Sequence, residues 1–225
     1  MKRFLPFILI ALVGLLTVGI ATAVYRVKTR PKPASTASAA AATQEQEAGN
    51  PSLHVRGPKN APVTLEIYGD FQCPSCAIAS REIDELQAQE FAGKMRVVFH
   101  EFPLAMHRHA AQAARAAEAA GIQGKFWEMH DALYKYQDVW SRATNANDFF
   151  ESYAEAIGLD VARFRADCIS PDVLTRVMED GKAGKERGVE NTPTLFLNGN
   201  QVTTAFTKEA LQQVIESALS AKKGP

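Results

Sequence analysis

The chain reads as an α/β protein, with one sheet whose strands are divided by a long run of helices. Two alternating, β-rich segments, 63–68 and 95–100, flank a helical stretch. From 107 to about 187 the pattern is helical nearly throughout, and a strand, a two-residue turn and an amphipathic helix then close the chain. Strands on both sides of a helical block must share a sheet, so two independent domains fit poorly.

The first element is of another kind. Residues 4–25 form a run of 22 without a charge. As a helix this run spans roughly 33 Å, against about 30 Å of bilayer hydrocarbon. Residues 1–30 are therefore expected to be a membrane anchor. The small-x-small triplet Ala21-Thr22-Ala23 also allows a signal cleaved near Ala23. Two basic residues precede the run and four follow it, which by charge counting would place the rest of the chain in the cytoplasm. We weigh the cysteine chemistry below above that count. Residues 31–50 are expected to be a disordered linker. From 33 to 50 no large apolar side chain occurs, so ordering would gain too little burial. Such a coil has a typical end-to-end distance of about 20–25 Å.

The folded part is placed at 51–222, with a helical insertion at about 104–187. Val63-Thr64-Leu65-Glu66-Ile67-Tyr68 alternates as a strand, and Gly69-Asp70-Phe71-Gln72 breaks it. A helix is predicted to start at Cys73 or Pro74, because proline suits a first helical turn, and to end by Gly93. The second strand is 95–100. Helices are predicted at 107–120, 126–136, 148–157, 161–168 and 171–185. The strand 194–197 meets Asn198-Gly199, a strong hairpin turn, with 201–203 pairing back and a final helix at 207–221.

Composition narrows the function. The chain has 225 residues, 46% of them apolar and 22% charged, which excludes bulk disorder and a multi-span membrane protein. Net charge is zero, yet residues 1–32 hold six basic groups and no acid. The remainder carries 19 basic and all 25 acidic groups, a net of −6. A domain so charged lacks the basic footprint of a nucleic-acid binder.

Cys73-Pro74-Ser75-Cys76 follows a strand and opens a helix, the setting in which C-x-x-C reads as dithiol redox chemistry. Cys73 sits where unpaired N–H groups and the helix dipole favour an anion, which lowers a thiol pKa. Cys76 lies one turn further on the same face, within disulfide reach. Pro74 and Ser75 are the tuning residues: Pro74 offers no N–H, and Ser75 has a hydroxyl able to donate. With no charged residue inside the pair, the helix terminus is expected to supply most of the thiolate stabilisation. A metal site is set aside. Zinc needs four ligands, and His107 and His109 point about 200° apart on a helix. A purely structural disulfide is disfavoured because a four-residue loop gains little from closure. Cys168 is expected to be an inert helical cysteine, and His100, His107, His109 and His130 packing or surface residues.

Several blocks in order resemble the DsbA-like thiol–disulfide oxidoreductases, in their membrane-anchored or secreted bacterial branch. They are 57–64, the Gly69–Cys76 stretch, Glu101-Phe102-Pro103-Leu104, the Gly124–Leu133 stretch and the Gly188–Gly199 stretch. The resemblance covers roughly 52–220. It implies a thioredoxin-like fold with an inserted helical domain, and a redox pair Cys73–Cys76 with no cofactor. Thr192 and Pro193 form the implied cis-proline loop that binds substrate. The implied activity is oxidation of cysteine-containing exported proteins outside the cytoplasm, with re-oxidation by a membrane partner. A disulfide reductase or isomerase in the same compartment, or a non-enzymatic thiol metallochaperone, is the alternative. The chain departs from the family pattern at Ile67, where a carboxylate often lies beneath the disulfide. Strand alternation turns the neighbouring Glu66 to the opposite face, where it is expected to be a solvated charge.

Overall fold

A computed structural model describes residues 54–222. The anchor or signal at 1–30 and the linker at 31–50 lie outside them. Among the described residues no helix is long and apolar enough to cross a membrane.

Five strands form one mixed sheet: β1 (His54–Arg56), β2 (Val63–Gly69), β3 (Met95–Glu101), β4 (Thr194–Leu197) and β5 (Asn200–Gln201). Their spatial order is β1-β3-β2-β4-β5. The parallel pair β2–β3 is central, and the other pairings are antiparallel. Helix α1 (Pro74–Glu85) makes the crossover between them and runs into one wider π turn at Leu86–Glu90. Parallel neighbours need such a crossover, and it brings the start of α1 to the carboxyl end of β2.

The period of two along the strands sorts the core into two faces. Leu65, Ile67, Val97, Phe99, Leu195 and Leu197 pack with Ala79 and Ile83 of α1, and with Leu211 and Ile215 of the last helix, α8 (Lys208–Lys222). Tyr68 and Phe196 point the other way and pack with Phe102 and Val189. Asn198 and Gly199 have φ of 48° and 81°, the left-handed geometry that a tight hairpin requires. Pairing begins at once, at Asn200, rather than at 201–203.

The helical block comprises α2 (Ala110–Ile122), α3 (Phe126–Lys135), α4 (Gln137–Trp140), α5 (Asn147–Ala156), α6 (Val161–Cys168) and α7 (Pro171–Glu186). Alanines 113, 116, 117, 119 and 120 of α2 are buried, and their small size lets α3, α6 and α7 close around it. Asp160 caps α6 by accepting from the Arg163 N–H at 3.0 Å. Ser170 caps α7, which has Pro171 in its first turn.

Two expectations are corrected. Helix α2 starts at Ala110, not His107, because the preceding loop is tied to Asp70 as described below. Glu66 is not solvated: it is 5% exposed. It does face away from α1, but Arg187, just past α7, covers that side of the sheet and donates to its two oxygens at 2.6 and 3.2 Å. His100 stands 3.5 Å from the same carboxylate and 3.5 Å from Asp180. Burial opposes ionisation of Glu66, but His100 and Arg187 outweigh it and hold the carboxyl down at about 2. Burial likewise opposes charging of His100, which Asp180 and Glu66 nevertheless raise to about 9.

Candidate active site

The chain turns sharply between β2 and α1, and this turn carries the C-x-x-C pair. Cys73 occupies the N-cap position of α1 with no side-chain cap, and Pro74 follows in the first turn. The three cysteines, Cys73, Cys76 and Cys168, are free thiols. Cys73 is 7% and Cys76 3% exposed. The Cys73 thiol points at the Thr192 carbonyl, 3.4 Å away. The Thr192–Pro193 peptide bond is cis. Residues 119 positions apart in sequence thus form one surface, because β4 lies beside β2 and the loop entering β4 faces the start of α1.

The two sulfurs are electrostatically unlike. A hydrogen bond from Cys76 lowers the Cys73 thiol most. Burial works against it, and contacts with Thr192 and the backbone N–H groups of Cys76 and Ser75 complete a pKa of about 5. Burial pushes the Cys76 thiol far up, and the neighbouring Cys73 adds to this. The helix terminus therefore contributes through two N–H groups but does not dominate; the second thiol does. Ser75 acts through its backbone N–H.

Residues outside the motif hold the turn in place. The Asp70 carboxylate accepts from the Gln72 N–H at 2.7 Å and from the Leu104 N–H at 2.8 Å, and pairs with His107 Nδ1 at 2.7 Å. The Asp70 N–H itself points to the Cys76 sulfur at 3.5 Å. From α4, the Gln137 amide donates to the carbonyls of Phe71 at 2.6 Å and Cys73 at 3.0 Å. Gln72 accepts from the His109 N–H at 2.6 Å. Asp70, His107 and Gln137 are thus site-building residues that sequence reasoning missed. Asp70 had a visible signal in the Gly69-Asp70-Phe71-Gln72 break. Gln137 had none, since the partners it bonds lie more than 60 residues upstream.

Cys168 ends α6 in a shallow cleft with Gln112, Arg115 and Phe164. Burial raises its thiol to about 12, so it stays protonated at neutral pH. Among the described residues no group of three or more His, Cys, Asp or Glu is placed to hold a metal ion.

A cap-position thiol and a buried thiol thus stand opposite a cis-proline loop, on a sheet interrupted by helices. A thioredoxin family model matches residues 49–217. The solved structure of a thioredoxin-like oxidoreductase from Silicibacter pomeroyi is similar, with a TM-score of 0.65 and 26% identity over 76% of this chain and 94% of that one. BdbD from Bacillus subtilis gives a TM-score of 0.67 at 21% identity, covering 75% and 94% of the two chains. The Na(+)/H(+) antiporter NhaA 1 of Salinispora arenicola is 40% identical over 168 residues, covering 74% of this chain and 25% of the antiporter. The chain spans about a quarter of the length of the curated relatives it matches. The chain belongs to the thioredoxin family whose model it matches.

Proposed function

We propose that the protein is an oxidase that introduces disulfides into exported proteins. The observation that supports this is the contrast between Cys73, held at about 5, and Cys76, held far up by burial. A stabilised thiolate favours the reduced pair over the disulfide, which makes the disulfide a strong oxidant. In the proposed cycle a substrate thiolate attacks Cys73 Sγ of the disulfide. A substrate–Cys73 bond forms, the Cys73–Cys76 bond breaks, and the electron pair goes to Cys76. A second substrate thiolate then attacks the substrate sulfur of the mixed disulfide and expels Cys73 as thiolate. The substrate leaves oxidised, and the enzyme has gained two electrons and is reduced. Thr192 and Pro193 border Cys73 and present the backbone to an extended substrate segment.

Domain organisation and location belong to the same proposal: an anchor within 1–30, a linker at 31–50, and the catalytic domain outside the cytoplasm. There an exported substrate meets it, and a membrane partner re-oxidises the pair. Oxidised full chain mixed with a model dithiol peptide should yield the cyclic disulfide peptide with one turnover per enzyme. A Cys73→Ala variant should yield none. Equal activity in that variant, or no peptide oxidation by the wild type, would remove the oxidase reading. A reporter fused after Pro225 should report an extracytoplasmic end, and a cytoplasmic signal would remove the placement.

A further inference from the structure

The peptide group between Gly69 and Asp70 is bound at both ends. Its carbonyl accepts from the Phe102 N–H at 2.8 Å, and its N–H points at the Cys76 sulfur, 3.5 Å away. The following peptide group presents the Asp70 carbonyl, which accepts from the Cys73 N–H at 3.0 Å. One residue thus touches both ends of the C-x-x-C motif. A peptide whose carbonyl accepts a hydrogen bond is polarised by it, so its own N–H donates more strongly. The cycle above gives this donor no task.

The residues around it fix that peptide. The Asp70 carboxylate accepts from the Gln72 N–H on one oxygen, and from the Leu104 N–H and His107 Nδ1 on the other. The segment after β3, 102–107, therefore grips the peptide through Phe102 and the carboxylate through Leu104 and His107. The Asp70 side chain is 0% exposed and that of His107 22%, so His107 can be changed without opening the core. Cys76 is 3% exposed, so little water can take up the charge that falls on its sulfur when the disulfide opens. Burial pushes the Cys76 thiol far up; of the contacts that oppose this, the Asp70 N–H is the larger and the Thr192 side chain the smaller. A thiol leaves a disulfide faster the lower its pKa.

We propose that the Asp70 N–H stabilises the Cys76 sulfur as the leaving group of the disulfide, and that His107 positions this donor through the Asp70 carboxylate. This rests on the thiol–disulfide reading of the site. A substrate thiolate attacks Cys73 Sγ, the substrate–Cys73 bond forms, the Cys73–Cys76 bond breaks, and the electron pair passes to Cys76 Sγ. The N–H keeps its proton throughout. Its hydrogen bond strengthens because a charged sulfur is a better acceptor than a disulfide sulfur, and a donor already in place needs no rearrangement. When a second thiolate later expels Cys73, no new charge falls on Cys76 and the donor has no part in the step. Asp70 is a catalytic residue in this scheme, since its N–H touches a reacting atom. His107 acts through it and is a positioning residue.

Two exchange steps in the full chain separate this role from a merely structural one. In the first, a small dithiol reduces the oxidised protein, so Cys76 is the leaving group, and thiol trapping reads the rate. In the second, a Cys76→Ala variant carries glutathione on Cys73, and the same dithiol attacks the glutathione sulfur, so Cys73 is the leaving group. His107→Ala should slow the first step about tenfold and leave the second unchanged. His107→Asn, whose side-chain amide still donates, should restore the first. An unchanged first step, an equal slowing of both steps, or no recovery with Asn would overturn the proposal. If His107→Ala does not fold, the amide-proton shift of Asp70 in the reduced chain decides. It should lie further downfield in the wild type than in Cys76→Ala, and equal shifts would overturn the donor. A wild type whose Cys73 forms no mixed disulfide would instead remove the thiol–disulfide reading, and this step with it.

Discussion

Cys73 and Cys76 have identical side chains and opposite electrostatics, and the difference comes from depth. Cys73 gains hydrogen bonds to its anion, whereas for Cys76 the loss of water outweighs the contacts with the Asp70 N–H and Thr192. A Cys76→Ala variant should therefore accumulate mixed disulfides between Cys73 and substrates, visible on non-reducing gels. Adducts persisting in Cys73→Ala would reverse the assignment. Because the Cys73 pKa is depressed on folding, its contribution to the reduced protein is complete above the unfolded value of 9.0 and is lost as pH falls through about 5. Unfolding by urea should show the reduced form losing stability relative to the oxidised form across that window, by up to about 1.4 kcal/mol per pH unit. A pH-independent difference would refute the shift. The Glu66 pocket titrates by a different rule. Glu66 is depressed to about 2, so its contribution is present above 4.5 and lost toward 2; His100 is raised to about 9, so its own is present below 6.5 and lost toward 9. Glu66→Gln leaves Arg187 without its anion and His100 with Asp180 alone, and should cost about 3 kcal/mol in urea unfolding near pH 6. A cost below about 0.5 kcal/mol would mean that the pocket is already neutral.

At the scale of elements, the short helix α4 ties the helical block to the catalytic turn through one amide. Gln137→Ala removes both bonds to the carbonyls of Phe71 and Cys73 and leaves them buried. It should destabilise the protein by about 1–3 kcal/mol and slow reaction at Cys73. Unchanged midpoint and rate would show the turn to be held by Asp70 alone. Most elements were legible in the sequence because their signals are local: period-two strands, Pro171 behind Ser170, and the turn at Asn198-Gly199. The placement of the C-x-x-C pair at the start of α1 was legible for the same reason. Three residues of β1 carry too little pattern to be seen, and α4 has only four. Glu66 was misjudged because exposure depends on what packs against a face, and Arg187 arrives from 121 residues away.

For the whole molecule, the helical insertion and the sheet serve one balance, the relative stability of the reduced and oxidised pair. The block holds the turn that carries Cys73 through Gln137 of α4, while the loop before β4 favours the Cys73 thiolate through the Thr192 side chain. Each favours the dithiol state in which Cys73 is ionised, and so each makes the disulfide more oxidising. The direct measure of that balance is equilibrium of the purified full chain with a series of glutathione redox buffers at neutral pH, with the Cys73–Cys76 pair read by thiol trapping. The account predicts a potential less negative than about −200 mV, on the oxidising side of the glutaredoxin range. A value near −270 mV or below, about that of a thioredoxin-type reductant, would contradict it.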